Sequence, residues 1–359
     1  MRTFTFKGLF LTAVFMLLGC LSIQAADDDL ITRQITIKLD KAGTLPDKIG
    51  SSKKNLITKL KIVGEVNGTD WCFIREMAGS GYDGKSTEGK LSVLDLSEAK
   101  IVEGGYYYNK YYYYENDVYY YKNCYTSNDV IGKCAFKGCS GLTSLTLPAG
   151  ITSIGDDAFY GCSGLTSLTL PAGITTIGGS AFEGCSGLTS LNLPAGITTI
   201  GSSAFYGCSG LTSLTIPDGV TKIGKYAFSN CSYLTSLTIP SSVNSLGDYA
   251  FKNCSSLQSV HVSWSTPISA GKAFNKADVS KCTLYVPQGT EQDYFLADVW
   301  GDFGNIVEYD PTGIDKVTTS TDTKELSRYS VNGQRLATPT KGLNIVKYSD
   351  GSVKKVVVQ

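Results

Sequence analysis

The sequence lacks most of the residues from which enzymatic or metal chemistry is built. It contains a single histidine, His261, in 359 residues. Multi-histidine metal sites and ordinary histidine-dependent triads are therefore excluded within one chain. His261 has no matching acid or nucleophile and reads as an outward strand residue. There is no C-x-x-C pair, phosphate loop, nucleophile elbow or zinc-protease helix motif. Net charge is absent too, with 32 Lys and Arg against 32 Asp and Glu. The basic excess that a nucleic-acid surface needs is missing. Charged residues are 18% of the chain, below the roughly one quarter that is usual. What is abundant is glycine, at 39 residues, and tyrosine, at 22. With 42% hydrophobic residues the chain can bury a core, and its length allows one to three domains.

Residues 1–26 read as a signal peptide. Arg2 and Lys7 lead into an apolar run from Gly8 to Ile23, and Ala25 offers a small residue for cleavage before Asp27-Asp28-Asp29. That acidic run reads as a solvated start. Leu17-Leu18-Gly19-Cys20 also resembles a bacterial lipobox, so cleavage near Ala25 and a lipid anchor at Cys20 both stay open. No later stretch is long and apolar enough to span a bilayer. The mature chain is expected to be exported, either to the outer-membrane surface or as a secreted protein.

The middle of the chain is a repeat of 23 residues. Cys139, Cys162, Cys185, Cys208, Cys231 and Cys254 keep that step. So do Phe136, Phe159, Phe182, Phe205, Phe228, Phe251 and Phe274, and Pro148, Pro171, Pro194, Pro217 and Pro240. Each unit carries the pattern Leu142-x-x-Leu145-x-Leu147, a short strand whose alternate residues point inward. Pro148 ends the strand because it cannot donate to a ladder. Ile151, Ile154, Ala158 and Phe159 complete the inward set. One unit cannot bury these groups alone, so units must stack, like residue over like. Each buried Phe then contributes about 1.5–3 kcal/mol.

The fold expected is a β-rich repeat solenoid, a parallel-stranded leucine-rich-repeat array capped at both ends, with a small C-terminal β-module. The boundaries are 1–26 signal peptide, 27–104 N-terminal cap and degenerate repeats, 105–130 Tyr-rich insert, 131–283 solenoid, 284–308 C-terminal cap, 309–325 linker and 326–359 β-hairpin module. Ile57-x-x-Leu60-x-Ile62 and Leu91-x-x-Leu94-x-Leu96 fit the strand template within the first cap. In the tail, Asn332-Gly333 and Asp350-Gly351 are hairpin-turn dipeptides between short β-rich runs.

The unit LTSLTLPAGITSIGDDAFYGCSG, from Leu142, resembles the BspA-like leucine-rich-repeat family of bacterial surface proteins. LYVPQGTEQDYFLADVWGDFGNIVE at 284–308 is similar to that family's closing unit. ITKLKIVGEVNGTDWCFIREMAG at 57–79, with LSVLDLSEAKIVEGG after it, resembles a leading segment. The tail from Ser330 resembles the C-terminal β-unit of proteins exported by the type IX route. These resemblances imply adhesion and contact with host or neighbouring cells. They imply neither an enzyme nor a cofactor.

Two surfaces are candidates for a partner. The first is the Tyr-rich insert, where residues 106–125 hold eleven of the 22 tyrosines. Its candidates are Tyr106, Tyr107, Tyr108, Tyr111, Tyr112, Tyr113, Tyr114, Tyr119, Tyr120 and Tyr121. Tyrosine gives broad amphipathic contact area with few rotors. The bland alternative is a low-complexity loop without a partner. The second is the outward strand face. Its rows are Ser144, Ser167, Ser190, Ser213 and Ser236, with Thr146, Thr169, Asn192, Thr215 and Thr238 beside them. Those rows are flat, uncharged and without aromatic anchors, and the bland alternative is that they only keep a β-surface soluble. The six repeat cysteines are expected to be buried thiols packing as small hydrophobes. Cys72, Cys124, Cys134 and Cys282 lie outside that column, and Cys124 with Cys134 can be bridged. The function expected is a non-enzymatic binding protein, an adhesin or interaction scaffold for an extracellular protein. The alternatives are glycan capture and a structural role in the envelope.

Overall fold

A coil that repeats every 23 residues brings each strand beside its own copy, so the sheets must be parallel and in register. The computed structural model describes residues 29–115, 118–309, 325–330, 335–336, 338–348 and 353–358. The expected signal peptide, the candidate anchor Cys20, residues 310–324 of the expected linker and both turn dipeptides of the tail lie outside the described residues. Strands Ile35–Leu39, Lys59–Val66, Val93–Ile101, Ser144–Thr146 and Ser167–Thr169 form one parallel sheet. Strands Ser213–Thr215, Ser236–Ile239, Ser259–Val262, Thr283–Pro287 and Asn305–Tyr309 form another. Along a different side of the coil, two-residue strands build a third parallel sheet, in which Ile131, Ile154, Ile177, Ile200, Ile223 and Leu246 lie in register. The result is a parallel β-solenoid of about 12 turns. The leucine templates at 57–62 and 91–96 are strands of this same solenoid.

The strand face is less uniform than its sequence. Among the described residues no strand forms over 190–192, and the first two sheets end on either side of it. This is the coil with Asn192 where its neighbours carry Thr169 and Thr215, and asparagine is depleted in strands. A cleft of about 470 Å³ opens there, lined by Ser190, Asn192, Ser213 and Thr215 among others. The third sheet runs through this level unbroken, Ile177 to Ile200 to Ile223, and holds the halves together.

Two columns fill the interior. The phenylalanine rings stack from Phe136 to Phe274 at centroid spacings between 4.9 and 5.6 Å, with planes within 19° of parallel. Trp71 covers Phe136 at 5.2 Å, and Trp300 and Phe303 cover Phe274 at 5.6 and 5.5 Å. The cysteines are buried as expected, but they also donate hydrogen bonds. Cys162, Cys185, Cys208, Cys231 and Cys254 each give their thiol proton to the carbonyl of Phe136, Phe159, Phe182, Phe205 and Phe228 in turn, at 3.1–3.4 Å. A thiol is small enough for the column and supplies one weak donor, which explains cysteine where alanine would only fill space.

Helix α1 (Leu45–Ile49) and helix α2 (Gly68–Met77) lie among the first coils. The buried Asp70 carboxylate accepts from the backbone N–H of Gly43, Leu45 and Asn67 at 2.6, 2.9 and 3.0 Å, which ties the start of α2 to the approach of α1. At the far end helix α3 (Glu291–Leu296) precedes Trp300. The tail forms an antiparallel four-stranded sheet in which Tyr329 pairs with Arg335 and Lys347 with Val353.

Removing one ring from mid-column should cost what a large core cavity costs. Phe205→Ala is expected to lower the unfolding free energy by about 3–5 kcal/mol, read from urea titration. The column thiols carry a second expectation. Burial pushes Cys139 up to about 11 and Cys185 and Cys254 up to about 12, against an ordinary value of 9.0. Between those values the unfolded chain releases protons that the folded chain keeps. Stability is therefore complete below pH 9 and falls as pH rises towards 11 and 12. The urea midpoint should be lower at pH 10 than at pH 8, with a shallower fall in Cys185→Ala. The folded column should also resist iodoacetamide at pH 8.

Candidate functional site

At the Phe-bearing edge of the solenoid, successive turns pass backbone hydrogen bonds in one direction. Cys134, Phe136 and Gly138 donate their N–H to the carbonyls of Asp156, Ala158 and Tyr160 at 3.0, 2.6 and 2.8 Å. Asp157, Phe159 and Gly161 repeat this to Gly179, Ala181 and Glu183. The first regular turn therefore offers the carbonyls of Lys133, Ala135 and Lys137 with no equivalent turn ahead of it to donate. Side chains supply the donors instead. Tyr108 hydroxyl donates to Lys133 at 2.8 Å, and Trp71 Nε1 and Arg75 Nη1 donate to Ala135 at 3.0 Å. Arg75 Nη2 and Ser80 hydroxyl donate to Lys137 at 3.0 Å. The Cys134 carbonyl takes Arg75 Nη1 at 3.0 Å and Asn109 Nδ2 at 3.1 Å. Arg75 is fully buried, so its charge is balanced by these carbonyl dipoles.

Two of those donors come from the Tyr-rich insert. It is a hairpin of strands Gly104–Glu115 and Val118–Thr126, with Tyr112 opposite Tyr121, Tyr113 opposite Tyr120 and Tyr114 opposite Tyr119. Its base lies on the start of α2, where a Cβ at Gly68 would collide with the Tyr106 carbonyl. Tyr108, expected among the partner-facing tyrosines, is instead 1% exposed. The strand's register shifts between Gly104 and Asn109, which turns Tyr108 inward beside the buried Asn109, and this ring belongs to the cap. Tyr106, Tyr120 and Tyr121 are exposed, while Tyr107 and Tyr111 are half-buried. The side chains of Tyr112, Tyr113, Tyr114 and Tyr119 lie outside the described residues.

Around the exposed tyrosines the structure adds Tyr82, from outside the insert, and shows Tyr125, the insert's eleventh tyrosine, exposed as well. Lys110 lies 5.5, 5.2 and 5.4 Å from the ring centres of Tyr82, Tyr107 and Tyr121. Such contacts hold a cation and several rings in one arrangement. Clefts flank the hairpin. One of about 270 Å³ is mostly apolar, lined by Pro46, Cys72, Phe73, Tyr82, Tyr106 and Tyr107 among others. Another of about 600 Å³ is lined by Asn109, Lys110, Tyr111, Lys133, Lys137, Asp157 and Tyr160 among others. In it Lys133 lies 3.9 Å from the Tyr111 ring centre and Lys137 4.6 Å from that of Tyr160.

On the strand face, Ser144 pairs in register with Ser167 and Thr146 with Thr169; Ser213 pairs with Ser236 and Thr215 with Thr238. Ser190 and Asn192 stand at the cleft between those blocks. The rows were expected to lack aromatic anchors, and here the structure corrects the reading. His261 stacks on Tyr285 at 4.2 Å and meets the edge of Tyr309 at 5.8 Å. The sequence signal was available, since Tyr285 occupies the strand position after His261 in the next coil. Burial lowers the pKa of His261, which keeps the ring neutral at pH 7. On the turn side, Tyr226 and Tyr249 stack at 5.0 Å. Both take left-handed φ, 57° and 62°, where earlier coils place Asp157, Ser180 and Ser203. A bulky residue is strained there.

Among the described residues no group of His, Cys, Asp and Glu is placed to hold a metal ion, and no helix is long and apolar enough to cross a membrane. The family described as the BspA type leucine rich repeat region matches residues 109–234 and 175–292, in six copies. No curated protein matches the chain. Among solved structures, the T. pallidum leucine rich repeat protein TpLRR is 30% identical, over 42% of this chain and 67% of that one, with a TM-score of 0.35. A leucine-rich repeat protein from Bacteroides ovatus is 23% identical, over 51% and 59%, with a TM-score of 0.32. The pneumococcal vaccine antigen PcpA is 21% identical, over 73% and 61%, with a TM-score of 0.44. This chain spans about three fifths of the length of the last two.

The hairpin's buried and exposed tyrosines should separate in mutagenesis. Tyr108→Phe keeps the ring but leaves the Lys133 carbonyl without this donor, and should cost about 1–2 kcal/mol of stability. Tyr121→Ser should change stability by less than about 0.5 kcal/mol. Urea titration of the pair checks both.

Proposed function

We propose that this chain, which belongs to the BspA-type leucine-rich repeat family, is a non-enzymatic exported binding protein whose tyrosine hairpin contacts a protein on a host or neighbouring cell. The observation that carries the reading is the combination of anchor and display in that hairpin. Its base is fastened by Tyr108 and Asn109 to the first turn, while Tyr106, Tyr120, Tyr121 and Tyr125 stand exposed beside Tyr82 and Lys110. Rigid, amphipathic rings lose little conformational freedom on binding. In this reading residues 131–283 are the scaffold and 105–130 the contact element. The leader-like start and the tail resembling a type IX sorting unit support export to the outer-membrane surface or beyond, with cleavage near Ala25 or a lipid at Cys20 as the two routes of release and attachment.

A second reading is glycan capture. The cleft of about 600 Å³ favours it, because tyrosine faces and lysines converge there and suit sugar rings and hydroxyls. The strand face would extend that surface through its hydroxyl rows and the His261–Tyr285 stack.

The test is a binding screen of the purified protein against host matrix proteins, epithelial surfaces and a glycan array. Deleting the hairpin is the wrong control, since it removes Tyr108 and Asn109 from the cap. The triple variant Tyr106→Ser, Tyr121→Ser, Tyr125→Ser keeps both. More than tenfold loss of affinity for a protein partner is expected, as truncated aromatic hot spots each cost about 2 kcal/mol. Saturable binding of an oligosaccharide, abolished by Tyr111→Ala with Tyr160→Ala, would instead establish the glycan reading. Equal binding by the triple variant and the parent would eliminate the hairpin as the site. Co-purification with envelope proteins and no other ligand would favour a structural envelope component.

A further inference from the structure

We propose that Cys124 and Cys134 form a site of oxidative cross-linking, and that a disulfide between them pins the tyrosine hairpin to the first regular turn of the exported protein. The proposal rests on the export reading above, because a disulfide persists only outside the reducing cytoplasm.

The seam between hairpin and turn is closed at the residues beside both cysteines. Cys124 lies opposite Asn109 in the hairpin, and the Asn109 amide reaches across to the Cys134 carbonyl at 3.1 Å. One residue earlier, Tyr108 reaches the Lys133 carbonyl at 2.8 Å. Both cysteines are buried, and they lie close enough for each thiol to perturb the other's titration. They are already paired in space without a covalent link.

The repeat does not account for either residue. The column cysteines point along the stack and donate to phenylalanine carbonyls. Cys134 instead takes the left-handed turn position, φ 58°, that later coils fill with Asp157, Ser180, Ser203, Tyr226 and Tyr249. A cysteine stands at that position in the turn that meets Cys124. The proximity of Cys134, with Lys133 and Arg75 nearby, holds the Cys124 thiol below its ordinary range. The exchange is written from Cys124, the thiol beside those cations, since the thiolate is the nucleophile.

The chemistry is thiol–disulfide exchange with an external disulfide, such as an exported oxidoreductase or oxidised glutathione. Cys124 thiolate attacks one sulfur of the oxidant, forming a mixed disulfide and releasing the other sulfur as a thiol. Cys134 then loses its proton and attacks the Cys124 sulfur, which releases the second thiol. The pair gives up two electrons and two protons, and the oxidant is reduced to two thiols. Burial of both sulfurs means that exchange occurs as the hairpin docks, after which the bond is shielded from reductant.

The test refolds the purified full chain in glutathione buffers of rising oxidising strength. Free thiols are alkylated in denaturant and the protein is digested with trypsin. Cleavage at Lys122, Lys133 and Lys137 separates the two cysteines, so a bond leaves peptides 123–133 and 134–137 joined, lighter by the two hydrogens lost. That joined peptide is expected, with the column cysteines alkylated. The thermal midpoint should fall by a few degrees with reductant in the parent and stay unchanged in Cys124→Ala, whose hairpin retains its Tyr108 and Asn109 bonds. Recovery of Cys124 and Cys134 fully alkylated from the most oxidising buffer, or either one bonded to a column cysteine, would overturn the proposal. A bond that forms on refolding but is absent from protein isolated from the producing cells would sustain the site and overturn the export reading instead.

Discussion

A hydrogen-bonded column with a direction must be closed at its ends. Along the Phe-bearing edge of this solenoid each turn hands its N–H groups to the carbonyls of the next, while its strands donate the opposite way as well, so at that edge the first regular turn is left with carbonyls to satisfy. A buried carbonyl without a donor costs more than a formed bond contributes. Tyr108, Trp71, Arg75, Ser80 and Asn109 all converge on that one edge. Helix α2 and the tyrosine hairpin are therefore parts of the same closure. The far end is closed through its rings, by Trp300 and Phe303 against Phe274.

Between those ends, freedom to vary is set by direction. Inward positions face their own copies in both neighbouring coils, so a change at one must fit against two identical residues. That is why phenylalanine and cysteine hold their columns without exception from 136 to 254. Outward positions meet solvent and tolerate Asp157, Ser180, Ser203, Tyr226 and Tyr249 at one equivalent site. The same tolerance admitted Asn192, and there the strand ladder is interrupted. A single polar exchange on the outer face thus divides a sheet while the Phe column passes through at 5.1 Å.

The hairpin joins structure to display. A register shift between Gly104 and Asn109 lets Tyr108 enter the cap while Tyr106, two residues earlier, stays exposed, so an insertion that looks like low complexity has chemically distinct parts. In the proposed function the base gives orientation and the outer rings give contact area. Lys110 holds three of the surrounding rings near one cation, which limits the rearrangement a partner would have to impose. An interaction role follows more naturally from such an element than from the flat hydroxyl rows, whose aromatic end at His261 and Tyr285 lies among the last coils.

The solenoid, its 23-residue step, the inward residues and the buried cysteine column were legible in the sequence, because stacking like on like writes the same letters at a fixed interval. The strand templates at 57–62 and 91–96 were legible from the leucine pattern alone, without the fixed interval. The functions of Arg75, Trp71 and Tyr108 were not, since they act on carbonyls 25 to 64 residues away and carry no period. Nor was the thiol-to-carbonyl bond, which depends on a coil geometry that composition does not specify. The sequence by itself determined what repeats, because a repeat is a local pattern copied. Only the tertiary structure decided which tyrosines are buried, where the ladder breaks and what closes it, because each depends on a contact between segments that share no pattern.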